Sequence, residues 1–257
     1  MRLLTVARDL QRRNARERHG LFVAEGVRAV DELLRSNLTV RGALALPSTG
    51  DRGRDQAVLA TLRERGIPVQ EVSAAEFASA SDTDTPQGIL AIAEVPNHRL
   101  PLPGPNLPFR LVVLDAVQDP GNVGTIVRTA SALGAAAVAA LPGTVDLWNA
   151  KVVRSSMGAH FHHPALGCTW EGLTSFLSEH DVALWAADAS GEPLGAVAPQ
   201  RSTVPARLAI VVGNEGGGLS TQVRQRADKL VALEIAARVE SLNVAVATGI
   251  MLYELRP

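Results

Sequence analysis

The sequence predicts an α/β protein in which a small N-terminal α/β domain precedes a larger domain built on a parallel sheet. Strand-like and helix-like segments alternate through both halves of the chain. Residues 110–117 form a continuous apolar run, which is typical of a strand buried on both faces. Residues 96–108 contain five prolines and one glycine, a density that interrupts helices and strands alike. The predicted organisation is therefore a domain over 1–96, a linker over 97–108 and a domain over 109–257.

The first half has the pattern of a compact α/β unit. Residues 3–18 predict a polar helix. Four later segments have the β-branched and apolar composition of strands, at 21–26, 38–47, 68–73 and 88–95. Helix-like segments lie between them, at 26–36, 54–65 and 74–80.

The second half repeats the alternation on a larger scale. Its predicted strands are 110–117, 136–141, 182–189, 207–216 and 229–235. Its predicted helices are 122–134, 148–159, 169–180 and 241–255. Strands that alternate with helices predict a parallel sheet covered by helices on both faces.

Composition limits the class of protein. The 257 residues are 46% hydrophobic and 20% charged, as expected of a globular chain rather than a disordered one. No apolar run approaches the roughly 20 residues that span a bilayer, and the first residues lack the apolar core of a secretory signal. Cys168 is the only cysteine, which excludes an intrachain disulfide and a cysteine-built metal site. We expect a cytoplasmic protein without membrane contact.

The net charge of −1 hides a basic N-terminus. Residues 1–20 carry six arginines against Asp9 and Glu17, a local charge of +4. Arginine forms bidentate contacts with phosphate and stacks on bases, so such a cluster suits a nucleic-acid surface. A solvated helix face explains the same charges equally well.

Three segments of the second half have compositions that suit a ligand site. In 119–129, an Asp-Pro-Gly-Asn turn leads from a strand into a helix, where Asn122 can act as N-cap. In 212–219, a strand ends in a run of glycines, and such strand ends bind ligands at the carboxyl edge of parallel sheets. In 240–247, Ser241 or Asn243 can cap the last helix. Taken singly, the first and third segments are equally well explained as ordinary helix starts.

Other candidate chemistries have weaker support. The glycine run lacks both the G-x-G-x-x-G spacing of dinucleotide sites and the G-K-[ST] ending of a phosphate loop. A Rossmann-type methyltransferase or dehydrogenase is therefore disfavoured. His160, His162 and His163 lack a carboxylate or cysteine partner at ligand spacing, so we expect no metal site. Ser155 and Ser156 lie outside any G-x-S-x-G elbow, which argues against a hydrolase.

Taken in this order, the three segments resemble the sequence motifs of the SpoU/TrmH family of RNA ribose 2′-O-methyltransferases, in the SPOUT superfamily. The first motif resembles D-P-x-N-x-G-x-x-x-R, and the matching residues are Asp119, Pro120, Asn122, Gly124 and Arg128. The second resembles G-x-E-G and is matched by Gly213, Glu215 and Gly216. The third resembles E-S-L-N-V-x-V-A and is matched by residues 240–247.

The resemblance extends into the first half. Arg16, the run Phe22-Val-Ala-Glu25-Gly26 and the run Thr85-Pro86-Gln87-Gly88 resemble the RNA-binding domain that precedes the catalytic domain in many members. The implied RNA contacts are the N-terminal arginines Arg12, Arg13, Arg16 and Arg18. The implied substrate is RNA, with ribosomal RNA preferred to tRNA.

The resemblance also implies a fold and a cofactor. Members of the family have a catalytic sheet with a deep C-terminal trefoil knot, bind S-adenosylmethionine (AdoMet) in the knot and form homodimers through this domain. Carried over by motif, the implied catalytic residues are Asn122, Arg128, Glu215, Ser241 and Asn243. The implied cofactor-binding residues are Ala187, Gly213, Asn214, Gly216, Leu233 and Leu242.

One stretch departs from the family pattern. Ahead of the third motif, members usually carry an Ile-Pro-Met-like run followed by glycine, whereas this chain has Glu234 in place of the proline and Ala237 in place of the glycine. Since this stretch helps to form the AdoMet pocket, the departure puts cofactor affinity in question. Two alternatives therefore stay open: a catalytically weak or inactive RNA-binding protein of the same fold, and a tRNA 2′-O-methyltransferase.

Overall fold

The computed structural model describes residues 2–47, 53–83, 85–236, 238 and 241–256. Its helices are α1 (Leu3–Asp9), α2 (Arg13–His19), α3 (Val27–Arg35), α4 (Gly53–Glu64), α5 (Ala74–Ala78), α6 (Pro120–Ala132), α7 (Ala150–Ser155), α8 (Trp170–Glu179), α9 (Leu194–Val197), α10 (Thr221–Arg226) and α11 (Val244–Glu254). Its strands are β1 (Leu21–Glu25), β2 (Val40–Ala45), β3 (Val69–Glu71), β4 (Ile89–Glu94), β5 (Phe109–Asp115), β6 (Ala137–Ala140), β7 (Ala165–Gly167), β8 (Ala183–Pro193), β9 (Arg207–Gly213) and β10 (Lys229–Ala232). Within the described residues, no helix is both long and apolar enough to cross a lipid bilayer.

The chain forms two compact units. The first comprises residues 1–97 together with 148–162, and the second comprises 98–147 together with 163–257. The segment 148–162 thus packs with the N-terminal unit, although it follows the predicted linker in sequence. The division of the chain into functional domains at 1–96 and 109–257 stays a prediction.

The first unit is built on a four-stranded sheet in the order β1-β4-β2-β3. The pairs β1–β4 and β4–β2 are antiparallel, and β2–β3 is parallel. The predicted helix over 3–18 is two helices, because the chain turns between α1 and α2 at residues 10–12. Helix α1 supplies Leu4, Val6 and Ala7 to the core, and the turn adds Leu10.

The second unit has a six-stranded parallel sheet in the order β10-β8-β9-β5-β6-β7. This sheet confirms the prediction of a parallel α/β core. All residues of β5 are buried, including Arg110 and Asp115, and the burial explains the apolar run of residues 111–114 between them. Leu173 and Phe176 of α8 and Val223 of α10 pack on one face of the sheet, while α6 and α11 pack together on the other.

The sequence prediction missed β7, α9 and α10, which are all short. It also ended β8 too early, at 189 rather than at Pro193. Beyond Ala186, the pairing of β8 with β10 jumps, so that Leu230 faces Ala186 while Val231 faces Glu192. Residues 187–191 therefore bulge out of the sheet at its carboxyl edge. A Cβ on Gly191 would overlap with the carbonyl carbon of Leu230, so the chain needs a glycine where the bulge closes.

Candidate active site

A cavity of about 550 Å³ lies at the carboxyl edge of the second unit's sheet. Four segments form its walls: the β8 bulge, the end of β9 with the glycine-rich loop, the residues after β10, and the start of α11. The lining residues are Ala187, Asp188, Ala189, Val212, Gly213, Asn214, Glu215, Gly216, Gly218, Val231, Leu233, Ile235, Ser241, Leu242, Asn243, Val244 and Ala247. Ligands bind at this edge in open parallel sheets, and the volume suits a cofactor-sized molecule.

The glycine-rich loop is a tight turn held by the Asn214 side chain. Asn214 and Gly218 exchange backbone hydrogen bonds of 3.0 and 2.9 Å. The Asn214 Oδ1 accepts the backbone N–H groups of Gly216 and Gly217 at 2.9 and 2.8 Å, and its Nδ2 donates to the Ala116 carbonyl at 2.9 Å. The side chain of Asn214 thus holds the shape of a loop that lines the cavity.

Two further features fix this loop. A Cβ on Gly213 would lie 2.5 Å from the carbonyl carbon of Gly218, so only glycine allows the loop to close on the strand end. The buried carboxylate of Asp115, at the end of β5, accepts the Ser220 backbone N–H at 2.6 Å. Asp115 therefore anchors the far end of the loop to the central strand.

The β8 bulge carries a carboxylate, Asp188, next to the cavity. Its Oδ1 accepts the Ser190 backbone N–H at 2.9 Å and the Ser190 hydroxyl at 2.6 Å, and its Oδ2 lies 2.5 Å from Nη1 of Arg224. Burial raises the pKa of Asp188, but the hydrogen bonds from Ser190 and the charge of Arg224 outweigh it and lower the pKa below its ordinary value. Asp188 is therefore ionised at neutral pH.

A directional chain of side-chain hydrogen bonds joins the three motif segments. Asn243 is the N-cap of α11, and its Oδ1 accepts the backbone N–H groups of Ala245 and Val246. Its Nδ2 then donates to the Asn122 Oδ1 at 2.9 Å, and the Asn122 Nδ2 donates to the Glu215 Oε1 at 2.9 Å. Because Oδ1 of Asn243 is fixed by the helix, each later amide has one orientation, and the chain ends on Glu215 as an acceptor.

The structure brings most of the predicted site residues to one place. All six predicted cofactor residues line the cavity, as do the predicted catalytic residues Glu215, Ser241 and Asn243. Asn122 joins them through its hydrogen bonds. Arg128 is different, because it is exposed on α6, six residues after Asn122, and does not line the cavity. The role of each of these residues stays a prediction.

The departure from the family pattern falls beside the cavity. Leu233 and Ile235 line it, whereas Glu234 between them is exposed. Ala237 and Glu240, which the sequence analysis also singled out, lie outside the described residues.

The N-terminal arginines separate into two groups. Arg12 and Arg13 are exposed and form ion pairs with Asp9 and Glu17, and Arg18 is also exposed. Arg16, by contrast, is buried, with 6% of its surface exposed. Its Nη1 donates to the carbonyl oxygens of Leu10 and Gln11 at 2.6 and 3.0 Å. This guanidinium holds the turn between α1 and α2, and the predicted contact of Arg16 with RNA stays a prediction.

The histidines that were considered as metal ligands pack against neighbouring side chains. His160 is buried, and its ring lies 4.1 Å from that of Trp148 in the first unit. In the second unit, burial and the neighbouring His98 lower the pKa of His163 to about 4. The described residues contain no cluster of three histidine, cysteine or acidic side chains suited to a metal ion.

Sequence reasoning missed Asp188, Val231, Val244 and Ala247 as cavity residues. Val244 and Ala247 belong to the third motif segment and could have been included. No sequence pattern marks Asp188, which reaches the cavity only because β8 bulges.

Comparison with known proteins identifies the family. The model of the SpoU rRNA methylase family matches residues 110–253, and that of the MRM3-like substrate binding domain matches residues 5–91. The chain belongs to the SpoU rRNA methylase family. This result confirms the resemblance inferred from the three motifs.

Relatives and solved structures in the SpoU family resemble nearly the whole chain. The 23S rRNA (guanosine(2553)-2′-O)-methyltransferase RlmP of Bacillus subtilis is 32% identical over 250 residues, covering 97% of this chain and 94% of that protein. The AdoMet-bound rRNA methyltransferase of Sinorhizobium meliloti superposes with a TM-score of 0.84 at 28% identity, covering 99% of this chain and 94% of that one. The SpoU methyltransferase AviRb of Streptomyces viridochromogenes, in complex with AdoMet, gives 0.83 at 25% identity, covering 99% and 97%.

Proposed function

We propose that this protein is an AdoMet-dependent RNA methyltransferase that transfers a methyl group to a ribose 2′-hydroxyl of ribosomal RNA. The observation that carries the proposal is the chain of hydrogen bonds from Asn243 through Asn122 to Glu215 at the cavity. It joins three segments that are far apart in sequence and that each match a family motif. A relative aligned over nearly the whole chain is named as a 23S rRNA 2′-O-methyltransferase, and related structures contain AdoMet.

The cavity fits AdoMet in both size and chemistry. Leu233 and Leu242 offer an apolar surface for the adenine, and the glycine-rich loop adds Gly213, Asn214 and Gly216 to the lining. With Ala187 of the β8 bulge, these residues would hold the cofactor. When bound, AdoMet supplies an electrophilic methyl group on its sulfonium.

The remaining chemistry is the activation of a weak nucleophile. A ribose hydroxyl must be aligned and must lose its proton as it reacts. The polar chain holds Glu215 in a fixed orientation, and Ser241 and Asn243 lie beside it to orient the ribose. Arg128 carries a guanidinium, which is a poor base. We assign Arg128 to the RNA phosphate and to the developing alkoxide, which it stabilises by charge.

The first unit is the proposed RNA-binding domain. It matches a substrate-binding family, and Arg12, Arg13 and Arg18 are exposed on it. We favour ribosomal RNA over tRNA because RlmP of Bacillus subtilis, which aligns with nearly the whole chain, is named for 23S rRNA. A ribosomal substrate also suggests a cytoplasmic location.

We further propose a trefoil knot and a homodimer in the second unit, as the family implies. The chain after β10 returns to the cavity wall before α11 begins, which is compatible with a threaded C-terminus. Helix α11 exposes Val246, Ile250 and Tyr253 by 52%, 40% and 53%, at a spacing that places them on one helix face. An apolar stripe of this kind suits burial against a second copy of the chain.

Mapping 2′-O-methyl positions in RNA from cells with and without the gene tests the proposed function. We expect one ribosomal position to lose its methyl group. Loss at a tRNA position would support the tRNA enzyme. An unchanged map would favour the RNA-binding protein without catalysis.

A further inference from the structure

Arg224 of α10 lies between two walls of the cavity that are not joined by strand pairing. One wall is the β8 bulge of residues 187–191, and the other is the glycine-rich loop of residues 213–218. Arg224 is not part of the three motifs and does not line the cavity.

The contacts of Arg224 reach both walls. On the bulge side, its Nη1 lies 2.5 Å from Oδ2 of Asp188. On the loop side, its Nε donates to the Leu219 carbonyl at 3.4 Å, and a Cβ on Gly218 would lie 3.4 Å from its Nη2. One guanidinium therefore spans from the bulge to the end of the glycine-rich loop.

The burial of the two partners is unequal. The side chain of Asp188 is 7% exposed, and that of Arg224 is 41% exposed. A carboxylate removed from water needs a paired charge, and losing that partner costs more than losing an exposed ion pair. Asp188 therefore depends on Arg224 to stay in its place beside the cavity.

The β8–β10 ladder does not hold the bulge in register, although Gly191 at its end packs closely against the backbone of Leu230. The ladder between β8 and β10 stops at Ala186 and resumes at Glu192, so residues 187–191 have no pairing in register with that neighbour. The hydrogen bonds of Asp188 with Ser190 lie within the bulge and do not connect it to another element. The ion pair with Arg224 provides such a connection.

We propose that Arg224 is a positioning residue for cofactor binding, which clamps the β8 bulge to the glycine-rich loop through Asp188. The inference rests on the proposed function, since the ligand is AdoMet. The clamp holds the two walls at the spacing that the cofactor needs before it binds. Without the clamp, binding must also order the bulge, and the affinity falls by that cost.

Isothermal titration of AdoMet into the full chain tests the clamp with R224Q. The matched control is R226Q, since Arg226 lies on the same helix, is also 41% exposed and pairs with Asp228 at 3.4 Å. We expect R224Q to weaken AdoMet binding about tenfold, and R226Q to leave it unchanged. R224K should recover part of the loss, because a lysine keeps the charge but loses the fixed fork that reaches both walls.

Two further readouts separate positioning from folding. The KM for AdoMet should rise in R224Q while the KM for RNA stays near its wild-type value, and thermal melting without cofactor should show that R224Q, although destabilised by the unpaired Asp188, is folded at the assay temperature. In a double-mutant cycle with D188N, the double variant should bind no more weakly than the weaker single variant, because both changes remove one clamp.

Specific results would overturn the inference. These are wild-type affinity in R224Q, equal losses in R224Q and R226Q, or additive losses with D188N. If R224Q does not fold, wild-type affinity in folded R224K and D188N would refute the clamp, and a loss in both would support it. Wild-type protein that does not bind AdoMet refutes the proposed cofactor itself, and the clamp with it.

Discussion

The substitution N243D separates the two roles of Asn243 in the polar chain. As N-cap of α11, Asn243 accepts two backbone N–H groups, and an aspartate accepts them equally well. As a donor to Asn122, it cannot be replaced, because a carboxylate has no hydrogen to give. The amide of Asn122 must then turn its Nδ2 toward the new carboxylate, which leaves its Oδ1 facing the Glu215 oxygen.

The expected fall in kcat follows from the hydrogen bond between Asn122 and the Glu215 carboxylate, which N243D removes. A hydrogen bond to a charged group contributes about 1.5 to 3 kcal/mol, and the exposure of Asn243 and Glu215 places this one near the lower end. We therefore expect kcat to fall about tenfold in N243D, since about 1.4 kcal/mol corresponds to a factor of ten. Loss of the cap in N243A should also cost about 1 kcal/mol of stability, which N243D should not.

The assay is methyl transfer to RNA at saturating AdoMet, together with thermal melting of each variant. N243A should lose both activity and stability, and N243D should lose activity alone. Wild-type turnover in N243D would refute the reasoning, because it would show that the orientation of the chain does not matter. Equal destabilisation in both variants would contradict the capping argument.

Three further predictions concern RNA and assembly. R128A should abolish methyl transfer while AdoMet affinity by titration stays normal, and near-normal turnover on a cognate RNA would show that the assignment is wrong. The triple variant R12Q/R13Q/R18Q should weaken RNA binding and flatten its dependence on salt by up to about 0.7 for each phosphate that is no longer neutralised, with unchanged AdoMet affinity. An unaltered salt slope would exclude these arginines from the interface. I250D should shift the mass in light scattering from dimer to monomer, and a dimer that persists would locate the interface elsewhere.

Much of the fold could be predicted because it is encoded locally. The apolar run of β5 is visible in the sequence, since every residue of that strand is buried. The break between α1 and α2 is not visible, because distant contacts stabilise it. Gln11 donates to the carbonyl oxygens of Ser79 and Ser81, about seventy positions away. The sequence likewise does not show that Arg16 is buried in the same turn.

The candidate site likewise combines features that the sequence predicts with features that only the structure shows. The motif segments could be predicted to meet, because strand ends of a parallel sheet share one edge. The Asp188–Arg224 pair could not, since it depends on a register jump between Leu230 and Val231 that has no local signature. Asn214 is predicted to bind the cofactor, and only the structure shows that its side chain holds the loop.

The central claim is methyl transfer to a ribose, and one measurement tests it directly. The purified protein is incubated with ribosomal RNA and AdoMet that carries an isotope-labelled methyl group, and the RNA is digested to nucleosides for mass spectrometry. The proposed function predicts the label in a single 2′-O-methylnucleoside, with none in the R128A reaction and a slower rise of the label in the N243A reaction. Label on a base, or no label in RNA with wild-type protein that binds AdoMet, would contradict it.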